Sequence, residues 1–247
     1  RLRKNQQSIH VEFRELRIDW GTLGKILKIG IPAGIQSAVF AISNIVIQSA
    51  INSLRKEVMA ASTAAFNIEV FAYDVLNSFS QACTTFVGQN YGAGQIRRCR
   101  RTLLLCIVED AIATATAIVL VLFAGRYLLA IFNIDPEVIE LGYLRLTMVF
   151  SAYTFSMLYE VMSGYLRGFG ISLVPAILTM IGVCGVRIGW IQIVFAQSQS
   201  FHTIMTAYPV SLATTAVLVF IALMCYRPAK RFAKLEKKPA GEEKSSG

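Results

Sequence analysis

Long apolar stretches, separated by short polar segments, fill most of the chain. An α-helix needs about 20 mainly apolar residues to cross the hydrocarbon core of a bilayer. Stretches of about this length lie near residues 26–50, 58–86, 102–124, 138–165, 171–196 and 203–226. The pattern therefore predicts an all-α membrane protein, a polytopic bundle of about six transmembrane helices.

The polar breaks contain residues that typically end or begin helices. The segment from Gly88 to Arg101 is rich in glycine and arginine, and Asp135 stands directly before Pro136. An aspartate followed by a proline is typical of an N-cap and the first residue of a helix. We therefore expect the fourth helix to begin at Pro136.

Composition and charge agree with a membrane protein. Only 16% of the 247 residues are charged, whereas soluble domains carry roughly 25%. The net charge is +9, but no nucleic-acid-binding motif accompanies the cations, so we expect no nucleic-acid partner. The cations collect near the N-terminus, after the second stretch and in the tail. By the positive-inside rule, both termini are cytoplasmic and the protein lies in the cell membrane, which we expect to be bacterial.

The pattern divides the chain into three parts. Residues 1–25 form a cytoplasmic segment, either an amphipathic helix with Trp20 at the interface or a plain linker. Residues 26–226 form the six-helix lobe, and residues 227–247 form a cytoplasmic basic tail predicted to be disordered. Because residue 1 is Arg1 rather than methionine, we expect a fragment of a longer protein or a half-size protein that pairs with a second copy.

Charged residues inside the apolar stretches are candidates for function. A charge at the bilayer centre costs roughly 2.5 to 3.5 kcal/mol, so it is kept only where it faces protein or a water-filled cavity. Glu69 and Asp74 lie deep in their stretch. Arg145 and Glu160 lie nearer to helix ends, where long side chains can reach the interface. Glu69 and Asp74 are therefore the leading candidates.

Polar side chains follow Glu69 at helical spacing along the second stretch, and the first stretch carries a polar stripe of its own. The pattern therefore predicts a polar cavity between these two helices. The candidates for cation or substrate binding are Glu69, Asp74, Tyr73, Asn77, Gln36 and Asn44. Two other interpretations stay open. Glu69 could instead pair with a buried cation such as Arg187, and the amides could form hydrogen bonds between helices.

Arg187 lies among small residues, between Gly185 and Gly189. Glycines at this GxxxG spacing allow a neighbouring helix to approach closely. We expect Arg187 to be structural and to contact an acid or a backbone carbonyl.

Enzyme motifs are missing from the sequence. His10 and His202 are the only histidines and both lie outside the apolar stretches. No metal-binding or nucleotide-binding pattern is complete. We therefore expect a non-enzymatic protein without catalytic residues, metal or organic cofactor.

Three motifs resemble those of the multidrug and toxic-compound extrusion (MATE) family. QACTTFVGQNYGAG at residues 81–94 is similar to the signature that closes the second span of each lobe in that family. GIPAG at residues 30–34 and GYLRGFG at residues 164–170 are further matches in the right order. The residues assigned to these structural motifs are Gln89, Asn90, Gly92, Gly94, Arg167 and Gly168, together with Arg187.

The resemblance implies a twelve-helix transporter of two six-helix lobes, of which this chain resembles the C-terminal one. It implies antiport, in which Na⁺ or H⁺ enters while organic, often cationic, compounds leave. The resemblance implies that Glu69 is the acid that binds the coupling cation or the substrate, with Tyr73, Asn77 and Gln36 as its neighbours in the cavity. The expected partners are membrane lipid, small organic substrates, and the missing N-terminal lobe or a second copy.

Two other functions remain in view. A lipid-linked oligosaccharide flippase of the same superfamily would need a basic cavity for the diphosphate of its substrate. The second stretch instead carries two acids, Glu69 and Asp74, deep in the bilayer core. A membrane partner subunit that transports nothing itself is the other alternative.

Overall fold

A computed structural model describes residues 19–229, without the side chains at positions 25, 28, 29 and 33. Most of the predicted N-terminal segment and nearly all of the basic tail lie outside the described residues. Within them the chain is helical and has no strand. The helices are α1 Trp20–Asn52, α2 Lys56–Gly92, α3 Ile96–Ala130, α4 Pro136–Ser151, α5 Tyr153–Gly168, α6 Leu173–Thr179, α7 Val186–Trp190 and α8 Phe201–Tyr226.

A short π-helical segment, Met180–Gly185, joins α6 to α7, and a second one, Ile191–Phe195, continues α7, so that Leu173–Phe195 forms one continuous rod. That rod, α1, α3 and α8 each contain a segment long and apolar enough to cross a membrane. The other two rods are α2 and the consecutive helices α4 and α5. The prediction of an all-α membrane protein is confirmed.

The fourth predicted span is not one helix. Residues 138–165 divide at Ala152 into α4 and α5. The Phe150 and Tyr153 rings stack across this break, with centroids 4.3 Å apart. The sequence there has no proline or glycine that would indicate a break.

Capping side chains fix the start of two helices. Asp135 accepts a hydrogen bond from the Glu137 amide at 2.9 Å, and Pro136 is the first residue of α4, as predicted. Asp19 caps α1 and accepts hydrogen bonds from the Thr22 hydroxyl and the Gly21 amide. These hydrogen bonds lower the pKa of the Asp19 carboxyl, and the bond from the Thr22 hydroxyl has the largest effect.

Helices α2 and α5 end in the same way. Gly94 has φ 71° and Gly170 has φ 78°, a left-handed conformation that favours glycine. The Gln95 amide donates to the Asn90 carbonyl at 2.8 Å, and the Ile171 amide donates to the Leu166 carbonyl at 3.1 Å. These are Schellman caps, and they explain one glycine in each of the two motifs.

The contact between α2 and α5 is close because α5 presents glycines to α2. A Cβ atom at Gly168 would lie 2.6 Å from the Val87 Cβ, and one at Gly164 would overlap the Ser80 carbonyl. The Thr84 hydroxyl donates to the Gly164 carbonyl at 3.0 Å. The motif at residues 164–170 therefore packs against the motif at residues 81–94.

The GxxxG prediction for Gly185 and Gly189 is wrong. A Cβ at Gly189 would meet nothing within 4 Å, and one at Gly185 would meet only a carbonyl of its own helix at 3.9 Å. Gly182 allows the close approach instead, since its Cβ would lie 2.9 Å from the Thr215 Cα on α8.

Candidate functional site

A cavity of about 610 Å³ lies between α1, α2, α5, the α6–α7 rod and α8. Its wall combines aromatic rings with polar and charged side chains. It includes five of the six predicted binding residues, which are Gln36, Asn44, Glu69, Tyr73 and Asn77. The sequence therefore placed the cavity on the correct faces of α1 and α2.

Glu69 is held in a buried ion pair. The Arg145 Nε and Nη2 atoms donate to its two carboxylate oxygens at 2.6 and 2.8 Å. Arg145 also donates to the Ser62 hydroxyl. The interpretation of Glu69 as the partner of a buried cation is thus supported, but the cation is Arg145 and not Arg187.

Glu160 is the acid whose position was wrongly predicted. It was expected near a helix end, but it is only 8% exposed and lies in the cavity wall. Arg145, for which the same was expected, is only 3% exposed. The Tyr73 hydroxyl donates to Glu160 Oε1 at 3.1 Å, and Arg167 Nη2 lies 3.8 Å from Oε2. Neither charged side chain reaches an interface, because both face neighbouring helices.

The structure does not place Asp74 in the cavity wall. Its side chain is exposed on the outer face of α2, beside the exposed Asn67 and Ser78. Asn67 and Ser78 donate to carbonyls of their own helix. Nothing in its position supports a binding role for Asp74, which stays an untested prediction.

Amides of the predicted site also connect helices. Gln36 Nε2 donates to the Thr179 hydroxyl at 2.6 Å and joins α1 to α6. Asn44 and Asn77 line the cavity.

Arg187 also lies in the cavity wall and is 7% exposed. Its Nε donates to the Ser211 hydroxyl at 3.0 Å, and its guanidinium lies 4.3 Å from the centroid of the Tyr208 ring. The expectation of an acid or carbonyl partner is not met within residues 19–229.

The signature at residues 81–94 closes α2, and only its first residue, Gln81, lines the cavity. Gln89, Asn90, Gly92 and Gly94 are absent from its described wall, and Asn90 Nδ2 donates to the Phe86 carbonyl of its own helix. Arg167 differs from these residues because it lines the cavity and donates to the Ser80 hydroxyl at 2.8 Å.

A third buried acid, Asp110 on α3, lies outside the cavity wall. It is 0% exposed, and neither carboxylate oxygen has a hydrogen-bond partner among the described residues. Its neighbour Glu109 is exposed. No cluster of three potential metal-binding His, Cys, Asp or Glu residues occurs within residues 19–229.

The cavity brings buried cations together with its acids. Glu69 and Glu160 are the acids, and Arg145 joins them through its pair with Glu69. Arg167 and Arg187 add two more cations in the wall. Two carboxylates therefore face three guanidinium groups.

These features define a helical membrane protein with a polar cavity between its helices, and comparison with known proteins gives the family. The family model for MatE matches residues 32–191. The chain belongs to the MatE family of membrane transporters.

Similar proteins include the probable multidrug resistance protein NorM of Thermotoga maritima, 25% identical over 68% of this chain and 36% of that protein. The multidrug resistance protein PmpM of Pseudomonas aeruginosa is 31% identical over 68% of this chain and 35% of its own length. The chain thus spans about a third of these relatives.

The fold is similar to that of a crystal structure of MATE in complex with MaL6. Its TM-score is 0.80 at 14% identity, over 94% of this chain and 52% of that one. Coverage of about half of that structure fits the prediction of one lobe of a two-lobed protein.

Proposed function

We propose that this chain forms one lobe of a secondary antiporter that exports small organic compounds in exchange for Na⁺ or H⁺. The relatives named as multidrug resistance proteins support export. The cavity of about 610 Å³ falls in the size range of small-molecule sites, about 300–1,000 Å³. The second lobe, or a second copy of this one, completes the site, and both termini lie in the cytoplasm.

The observation that carries the proposal is the difference between the two carboxylates of the cavity. Both oxygens of Glu69 are bound by Arg145. Glu160 has one tyrosine donor on Oε1, and its nearest cation lies 3.8 Å from Oε2. Glu160 is therefore better placed than Glu69 to exchange a cation during transport.

Ion binding at Glu160 would act on the contact between α2 and α5. In its ionised form the carboxylate, which lies on α5, accepts from Tyr73 on α2. It also attracts Arg167 of its own helix, and Arg167 in turn donates to Ser80 on α2. A bound proton or Na⁺ removes that charge and weakens both attractions. Two arrangements of these helices, each favoured by one ionic state, are what alternating access requires.

The experiment uses the native-length protein that contains this chain, reconstituted in proteoliposomes. Uptake of a fluorescent organic compound is followed under separate Na⁺ and H⁺ gradients, because the effective gradient identifies the coupling ion. Glu160→Gln should abolish the response to that gradient while the protein stays folded. Glu140→Gln, an acid in an exposed pair with Arg126, is the matched control. Unchanged gradient-driven transport by Glu160→Gln would remove Glu160 from the mechanism.

A further inference from the structure

We propose that Arg187 binds the acidic group, a carboxylate or a phosphate, of a small organic substrate in the cavity. The proposal rests on the proposed transport function, because it names the class of compound that occupies the same cavity.

The first support is the incomplete set of partners around the Arg187 guanidinium. A guanidinium has five N–H donors. Within residues 19–229 only Nε donates to a protein acceptor, the Ser211 hydroxyl. The two terminal nitrogens have no protein acceptor in that range, and the residue lines the cavity. A planar pair of donors facing a cavity matches the oxygens of a carboxylate or phosphate.

The second support is the charge around the cavity. The Glu69 carboxylate is paired with Arg145, and the Glu160 carboxylate lies near Arg167. No carboxylate within residues 19–229 lies within 4.0 Å of Arg187. A buried cation without a counter-charge is costly. An anionic group on the ligand would supply the missing charge.

The third support is the way in which Tyr208 holds Arg187. The ring lies 4.3 Å from the Arg187 guanidinium and 5.6 Å from that of Arg145. The cation–π contact and the Ser211 hydrogen bond together fix the plane of the Arg187 group. A fixed plane lowers the conformational entropy lost when an oxyanion binds.

Aromatic side chains in the same wall can accommodate the organic part of such a compound. Phe40, Phe66 and Tyr159 line the cavity with Arg187. The expected substrate is therefore an aromatic or otherwise apolar compound that bears one acidic group.

Two dyes with the same xanthene ring and opposite charge provide the test. Binding of fluorescein, an anion, and of rhodamine 6G, a cation, is measured by fluorescence polarisation on the purified native-length protein. Arg187→Gln should weaken fluorescein binding by about tenfold or more, the effect of losing one charge-assisted interaction. Rhodamine 6G binding should be unchanged or tighter.

Two further variants separate a local effect from a general one. Arg187→Lys keeps the charge but loses the planar donor pair, so it should restore part of the fluorescein affinity. Arg126→Gln removes one positive charge at an exposed pair outside the cavity wall, and it should leave both dyes unaffected. Competition by benzoate and phenyl phosphate on the unmodified protein tests oxyanion binding even where Arg187→Gln fails to fold.

The result that would overturn the proposal is fluorescein binding that neither Arg187→Gln nor the two competitors reduce, or no fluorescein binding at all. Gradient-driven uptake of rhodamine 6G in that case would leave the transport function standing. Conversely, fluorescein binding that depends on Arg187, without gradient-driven uptake of either dye, would contradict the proposed transport function and leave the proposed anion binding by Arg187 standing. Movement of fluorescently labelled phosphatidylglycerol across the vesicle membrane that Arg187→Gln abolishes, without fluorescein binding, would assign Arg187 to a lipid headgroup and also overturn the proposal.

Discussion

Arg145 on α4 and Glu69 on α2 form a two-point ion pair inside the helical bundle, with N–O distances of 2.6 and 2.8 Å. The side chains are 3% and 8% exposed. A pair buried in this way contributes little net stability over an apolar pair of the same shape, but its disruption leaves an uncompensated buried charge.

Glu69→Gln is therefore expected to destabilise the protein, by about 3 to 5 kcal/mol, because it leaves the Arg145 charge unpaired. The measurement is the thermal unfolding of the purified native-length protein in detergent. Glu140→Gln breaks the exposed pair with Arg126 and should change stability by about 0 to 1 kcal/mol. The double variant Glu69→Gln with Arg145→Gln should recover part of the loss. Equal unfolding temperatures for Glu69→Gln and the parent would contradict a structural role for the pair.

The helical fold followed directly from the sequence because the length of an apolar stretch depends only on local composition. The start at Pro136 was readable for the same reason, since it depends on a few adjacent residues. The end of the second stretch was predicted near residue 86, whereas α2 continues to Gly92. The break at Ala152 was not readable. No proline or glycine marks it in a continuous apolar pattern, and the structure shows it as a break across which the Phe150 and Tyr153 rings stack.

The cavity was predictable on α1 and α2, but the roles of the acids were not. Depth along a helix does not tell which neighbour a side chain faces, so Glu160 and Arg145 were assigned to the interfaces. One signal could have identified Glu160. It precedes Gly164 and Gly168 at spacings of four residues, which places all three on one helix face. The glycines indicate that this face meets another helix.

Gly168→Ala should destabilise the contact between α2 and α5. Its new Cβ would lie 2.6 Å from the Val87 Cβ and 3.0 Å from the Thr84 carbonyl, an overlap that costs about 1 to 3 kcal/mol. Gly189→Ala is the matched control, because nothing lies within 4 Å of its Cβ position. That control should be neutral or slightly stabilising. Thermal unfolding of both variants in detergent decides the matter, and the same unfolding temperature for both would rule out a steric requirement at Gly168.

Gly94→Ala tests the role of the glycine that ends the signature, just after α2. Residue 94 has φ 71°, and a side chain in this conformation costs about 1 to 2 kcal/mol. Gly92→Ala should be tolerated, since Gly92 lies inside the helix with open space at its Cβ position. Gly94→Asn should lose less stability than Gly94→Ala, because asparagine accepts left-handed geometry more readily. Binding of either dye should be unaffected in all three variants, as none of these residues lines the described cavity wall. A changed dye affinity with unchanged stability would assign the signature to binding instead of helix termination.

Asp110→Asn is expected to leave stability unchanged or to raise it. Asp110 is completely buried on α3, and its oxygens have no donor within residues 19–229. An ionised carboxylate in such a place is costly, and asparagine keeps its volume without the charge. Glu109→Gln, at the exposed neighbouring position, controls for the loss of an acid on the same helix and should have no effect. The measurement is thermal unfolding of the purified native-length protein. A marked loss of stability in Asp110→Asn but not in Glu109→Gln would contradict this expectation. Because asparagine has nearly the same volume as aspartate, such a loss would mean that the Asp110 carboxyl group makes a specific stabilising contact in the assembled protein.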